Sequence, residues 1–253
     1  MTPTVVVHRD PEALAHATAD RLVTALVEAQ AERRSASLVL AGGTVAVATL
    51  AAVARSPRRT DVDWRQVDVW WGDERYVERA SSERNERQAR EALLDHVDVD
   101  PARVHPMGAL DGADGDDVDA AAARYAAELA AAAPHGQGVP VFDVVLLGMG
   151  PDGHTASIFP ESPAAHDERP VTGVHGSPKP PPTRLTLGFS ALCSAHEVWL
   201  LAAGQEKAFA VALGLSGAGR VQLPAVGVQG RRQTLWLLDE AAAGDLPPTL
   251  RRL

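Results

Sequence analysis

Cysteine is nearly absent: Cys193 stands alone in 253 residues. No disulfide framework can form within such a chain, and an unpaired thiol fits a reducing compartment. Lysine is almost as scarce, with Lys179 and Lys207 set against 22 arginines. Positive charge is outweighed overall, 24 basic residues facing 33 acidic ones for a net charge of −9. A dedicated binder of nucleic acid or of an anionic membrane would carry a basic face, so neither partner is expected. Long apolar runs are missing too. No segment reaches the roughly 18 uninterrupted apolar residues of a membrane span. The Ala-rich stretch 120–133 is broken by Arg124 and Glu128. The opening MTPTVVVHRDPE lacks the charged, apolar, small-residue order of a secretory signal. The expectation is a cytoplasmic protein.

What remains is an ordinary globular composition, 45% hydrophobic and 23% charged. Short β-rich runs alternate with helical patterns along its whole length. Val5–Val7 is an apolar run. Asp10 follows as an N-cap, with Pro11 at the first helical position, and a helix runs to Arg34. Strands are expected at Ser37–Leu40, Val67–Trp71, Val141–Leu147, Arg184–Leu187, Glu197–Leu201 and Leu235–Leu238. Helices are expected at Val45–Ala54, Glu86–His96, Asp116–Ala132 and Lys207–Leu215, with a short one starting near His154. This alternation predicts one α/β domain over residues 1–253. It is a Rossmann-like, doubly wound, mostly parallel sheet with helices on both faces. The Pro-rich stretch Pro160–Pro182 reads as one long irregular loop over the sheet edge.

In such sheets ligands bind beyond the carboxyl ends of the strands. Four clusters sit there. Gly42, Gly43 and Thr44 follow the SLVL strand and open a helix; tight turns, free N–H groups and a hydroxyl suit a phosphate. Read alone, the cluster equally fits a turn with no ligand. Gly72-Asp73-Glu74-Arg75 places three charges after VDVWW. Arg75 can hold an oxyanion in two-point contact, and Asp73 can bond sugar hydroxyls or orient a base. Taken alone, a solvated loop with an internal ion pair is the slightly favoured reading. Gly148, Gly150 and Gly153 match G-x-G-x-x-G, but no strand with an acidic end follows, and Asp152 would face a pyrophosphate; a dinucleotide is discounted. The better account is an exposed loop carrying Asp152 and His154, a histidine suited to general-base work near neutral pH. In SPKPPPTR, prolines stiffen a segment that presents Lys179 and Arg184. The scattered histidines have no zinc-type spacing, so no metal or other cofactor is expected. Gly-x-Ser-x-Gly is absent, and Cys193, in an apolar run, reads as packed rather than nucleophilic.

As an ordered set, AGGTV, WWGDER with Asn85 and AREALLDHV, FDVVLLGMGPDGHTASIFP, SPKPPPTRLTL and LWLLDEAAA closely resemble the 6-phosphogluconolactonases of the pentose phosphate pathway, from about residue 5 to 245. The resemblance implies metal-free hydrolysis of 6-phospho-D-glucono-1,5-lactone, a small sugar-phosphate substrate, by a chain expected to be a monomer. It places the family's motif histidine on His154, its GDER arginine on Arg75, and its SPKPPP-x-R cations on Lys179 and Arg184. Water would attack the lactone carbonyl with His154 as base. Arg75 or a backbone N–H in Gly150–His154 would serve the oxyanion, and Asp152 or Asp73 would orient the imidazole or bond the sugar. Gly42, Gly43, Thr44, Gly153, Lys179 and Arg184 complete the expected site. The family's usual GGSTP reads Gly43-Thr44-Val45-Ala46 here, its Asp-Ser-Asn reads Glu83-Arg84-Asn85, adding a cation near the site, and its arginine after Leu-Pro-Ala is missing. The competing readings are an amino-sugar-phosphate deaminase or aldose–ketose isomerase working through Asp73, and a non-catalytic sugar-phosphate-binding regulator. No helix-turn-helix or basic extension flanks residues 5–240 to support the last.

Overall fold

The computed structural model describes residues 2–250. Six parallel strands form the main sheet: β1 (Thr4–His8), β2 (Ala36–Leu40), β3 (Val67–Trp71), β5 (Val144–Gly148), β8 (Glu197–Ala202) and β9 (Gln233–Asp239). Their spatial order is β1-β9-β8-β5-β2-β3, and every pairing is parallel. A parallel sheet is covered on both faces, which is why its central strands carry continuous apolar runs such as VVLL in β5 and LWLL in β9. VVLL of β5 is fully buried, as are Leu235–Leu238 of β9.

Helices α1 (Pro11–Arg33) and α2 (Thr44–Arg55) pack on each other and on this sheet. The start of α1 is set by its cap: Ala13 N donates to Asp10 Oδ1 at 2.8 Å, with Pro11 in the first turn. Helix α3 (Asn85–Ala92) is shorter than the sequence pattern predicts; the chain tightens into a 3₁₀ turn at Leu94–His96. Helix α4 (Val118–Ala132) begins after the Asp117 cap. The helix expected at Lys207–Leu215 is a 3₁₀ turn, Gln205–Lys207, running into α6 (Ala208–Leu215). The short α5 (Phe189–Leu192) precedes β8. No described helix is long and apolar enough to cross a membrane.

Three expectations are corrected. Arg184–Leu187 (β7) does not join the parallel sheet. It is the centre of a second, antiparallel sheet, β4-β7-β6, with β4 (Asp73–Arg75) and β6 (Val171–Val174). Asp73–Arg75 is therefore a strand and not a solvated loop. The Pro160–Pro182 stretch is not wholly irregular, because it contains β6. VTGV is too short to show a period, and its partner lies beyond the prolines, so pairing rather than propensity makes it a strand. Finally, no helix starts near His154. Bridges Met149–Thr155 and Thr155–Ile158 fold that loop into tight turns, with positive φ at Gly153 (80°) and Ala156 (48°).

The chain leaves β2 outward to β3 on one side, and returns to β5 on the other. The crevice beyond the carboxyl ends of β2 and β5 is thus the point where strand order reverses, the place where an open α/β sheet takes its ligand.

Candidate active site

A cavity of about 550 Å³ opens at that crevice. Gly42, Gly43 and Thr44 line it from the β2 end. Gly43, at φ 99°, is the N-cap of α2 and supplies no side-chain oxygen, so the first N–H groups of the helix are left for a ligand. Gly42 is fixed by contact: a Cβ there would lie 1.9 Å from Asn85 Oδ1.

Strand alternation sorts the charges of β4. Asp73 and Arg75 line the cavity; Glu74 points the other way and is fully buried. Asp73 is held by two donors, Ser157 Oγ at 2.7 Å and Asn85 Nδ2 at 3.2 Å. Arg75 Nη1 donates to Glu83 O at 2.8 Å and to Asn85 Oδ1 at 2.5 Å. Glu74 accepts the backbone N–H groups of Arg75, Asn85 and Glu86, capping α3 from behind. Burial pushes its carboxyl up to about 7 against the pull of Arg84 and those N–H groups. Arg84 adds no cation to the cavity, contrary to expectation. It is 1% exposed, and its guanidinium is spent on Met107 O, Gly108 O and Glu86, with Glu74 at 3.6 Å.

The loop after β5 carries the histidine. Met149 N donates to Leu201 O, Gly150 N to His154 O, and Ala225 N to Gly153 O. His154 lines the cavity, its side chain 17% exposed. Its Nδ1 lies 2.5 Å from Asp152 Oδ1. A carboxylate accepts from a protonated Nδ1, and in that tautomer the lone pair is on Nε2. Lys179 Nζ approaches the same Asp152 oxygen at 3.6 Å and His154 Nδ1 at 3.3 Å. Burial pushes Asp152 up, but the His154 contact and the Lys179 charge outweigh it and hold the carboxyl well below its usual range. Asp152 and Gly153 themselves do not line the cavity; they support His154 from behind.

Lys179 reaches the cavity from the loop before β7, and Arg184 from the first residue of that strand. Arg184 Nε and Nη2 donate to the carbonyls of Pro181, Lys179 and Pro180, so those atoms fasten the loop. Lys207 and Asn85 are polar lining residues outside the expected site. Lys207 is 18% exposed, with Glu206 at 3.8 Å; burial, and then the Lys179 charge, lower its pKa. Asn85 ties Asp73, Arg75 and Gly42 together. Both lysines of the chain therefore meet in one cavity, a signal present in their rarity. Val45 and Ala46 also line it, on the first turn of α2. Cys193 lies elsewhere, half-buried, donating to Gly227 O at 3.4 Å. Among the described residues no group of three or more His, Cys, Asp or Glu side chains is placed to hold a metal ion.

Comparison with known proteins gives the family of the chain. Residues 9–236 match the family model for glucosamine-6-phosphate isomerases/6-phosphogluconolactonase. The chain is 58% identical to the 6-phosphogluconolactonase of Streptomyces coelicolor, over 98% of this chain and 97% of that one. It is 48% identical to that of Mycobacterium tuberculosis, over 98% of this chain and 100% of the relative. The solved structure of 6-phosphogluconolactonase from Trypanosoma brucei superposes with a TM-score of 0.84 at 32% identity, covering 97% of this chain and 99% of that one.

Proposed function

The chain belongs to the glucosamine-6-phosphate isomerase/6-phosphogluconolactonase family, and from that premise we propose how its cavity works. It is a 6-phosphogluconolactonase, a hydrolase that opens 6-phospho-D-glucono-1,5-lactone to 6-phosphogluconate. His154 Nε2 takes a proton from water as the water oxygen attacks the lactone carbonyl. The ring C–O bond then breaks, and the imidazolium returns the proton to the departing ring oxygen. Asp152 holds Nδ1–H and stabilises the imidazolium, the orienting role a carboxylate plays behind a catalytic histidine. Arg75, fixed by Glu83 O and Asn85, faces the developing oxyanion.

The phosphate lies on the N-terminus of α2 at Gly43 and Thr44, with Lys207 and with Lys179, whose Nζ stands 3.3 Å from His154 Nδ1. Arg184 adds charge there while its Nε and Nη2 hold the loop. Asp73, on Ser157 and Asn85, bonds sugar hydroxyls. Anchoring the remote anion positions the ring for attack, so binding energy at the phosphate is spent at the carbonyl. The protein acts as a cytoplasmic monomer in this account.

The observation that carries the proposal is His154, backed by Asp152, lining the same cavity as four cations, Arg75, Lys179, Arg184 and Lys207. The test is a substrate comparison. The phosphorylated lactone is expected to be hydrolysed with a kcat/KM at least about 10²-fold above that of unphosphorylated gluconolactone. Equal efficiency removes the phosphate grip. Ammonia release from glucosamine 6-phosphate would move the chain to the deaminase reading, and tight binding without turnover to the regulator reading.

A further inference from the structure

The bond between His154 Nδ1 and Asp152 leaves the imidazole one freedom. A single hydrogen bond fixes the position of the ring along one axis, and the ring can still rotate about it, sweeping Nε2 through an arc. Asp152 cannot remove that freedom, being two residues away on the same loop with a side chain 36% exposed. What lies on the face of the ring is Phe159. The two ring centroids are 4.5 Å apart with 30° between the planes, and Phe159 is 2% exposed. Offset contact of two flat rings has a shallow optimum in tilt and offset, so it acts on the coordinate the hydrogen bond leaves open.

Phe159 is itself held. The backbone just before it is pinned by Ile158 N donating to Thr155 O and by Ser157 N donating to Thr186 Oγ1. The Arg184 guanidinium carbon lies 5.7 Å from the Phe159 ring centroid, while its nitrogens are fastened to three carbonyls of the 179–181 segment. Phe159 thus stands between the imidazole and the loop that carries Lys179. We propose that Phe159 is a positioning residue for the reaction: its ring aims His154 Nε2 at the attacking water, and through Arg184 it keeps the histidine loop and the lysine loop in register. This rests on His154 being the base.

The test compares Phe159→Leu, which keeps apolar volume and loses the flat face, with Phe159→Tyr, which keeps the face. In a folded Phe159→Leu protein, kcat is expected to fall about tenfold or more while KM stays within about twofold, because substrate binding is untouched and aim is lost. Phe159→Tyr is expected to return most of that kcat. A Phe159→Leu protein with unchanged kcat, or with a KM rise as large as its kcat loss, overturns the proposal. So does a Phe159→Tyr protein as slow as Phe159→Leu. Proton NMR of the unmodified protein needs no variant to fold: the His154 ring protons should be shifted upfield and show cross-relaxation to the Phe159 ring, and their absence also overturns it. His154→Ala separates this inference from the one beneath it. If His154→Ala is slow and Phe159→Leu is not, only the positioning role is lost; if both are fast, the base assignment is lost first.

Discussion

A methyl group at residue 150 would lie 2.0 Å from His154 Nδ1 and 2.5 Å from Asp152 Oδ1. Gly150 is therefore required by the approach of the catalytic pair, whatever its backbone angles. Gly150→Ala is expected to fold with little change in melting temperature and to lose about 10²-fold in kcat, as an imidazole displaced by an ångström loses its aim. Circular dichroism melting with steady-state kinetics checks this, and wild-type kcat in a folded Gly150→Ala protein would contradict it. At this scale the sequence was readable where a residue's meaning is local. His154 stood out from eight other histidines by sitting in a glycine-rich loop beside a carboxylate. Asn85 and Lys207 carried no such local mark. Asn85 matters because α3 folds back on β4, where Asn85 bonds Asp73, and Lys207 because β8 lies beside β5 in the sheet. Neither fact can be read from the residues next to them in the chain. Arg84 was misplaced for the same reason: only the fold shows that Glu74 and Glu86 enclose it.

Elements were legible where the chain is apolar and parallel, and less so where a short strand depends on its partner. β5 and β9 are read directly from their runs of Val and Leu. β4 and β6 are three and four residues long and exist because β7 pairs with both. Edge strand β3 shows how a side chain can tie elements together. His105 stacks on Trp70 at 3.8 Å, and its Nδ1 lies 2.7 Å from Glu128 of α4. Its Nε2 is 3.5 Å from Asp68 of β3, an ionic contact rather than a directed hydrogen bond. Burial lowers the pKa of His105, but the Asp68 and Glu128 carboxylates outweigh it and raise it to about 9. The folded value lies above the unfolded one, near 6.5. The stabilisation is thus present in full below pH about 6.5 and is lost as pH rises through about 9. Urea midpoints measured across that window are expected to fall in the parent and to flatten in His105→Gln. An equal fall in both proteins would contradict the assignment.

The whole molecule is acidic, at −9, yet one crevice gathers Arg75, Lys179, Arg184 and Lys207. A sugar phosphate approaching such a chain is attracted locally and repelled at longer range. Salt should screen the local attraction: raising ionic strength from about 0.05 M to about 0.5 M is expected to raise KM for the phosphorylated lactone severalfold and leave that for the unphosphorylated lactone unchanged. Lys207→Met should raise KM in low salt and blunt the salt effect, and an unaltered KM would remove Lys207 from the phosphate site. The architecture explains why the crevice is there, since β2 and β5 part at the point of strand reversal, and alternation alone foretold that much. The second sheet could not be foretold, because nothing local says that β7 leaves the parallel array.

Hydrolysis of 6-phosphogluconolactone by His154→Ala, measured at saturating substrate and corrected for spontaneous opening, bears most directly on the chemistry. With general-base assistance removed, kcat is expected to fall by about 10²–10⁴-fold while the substrate still binds. A variant that keeps most of the parental rate would show that another group activates the water.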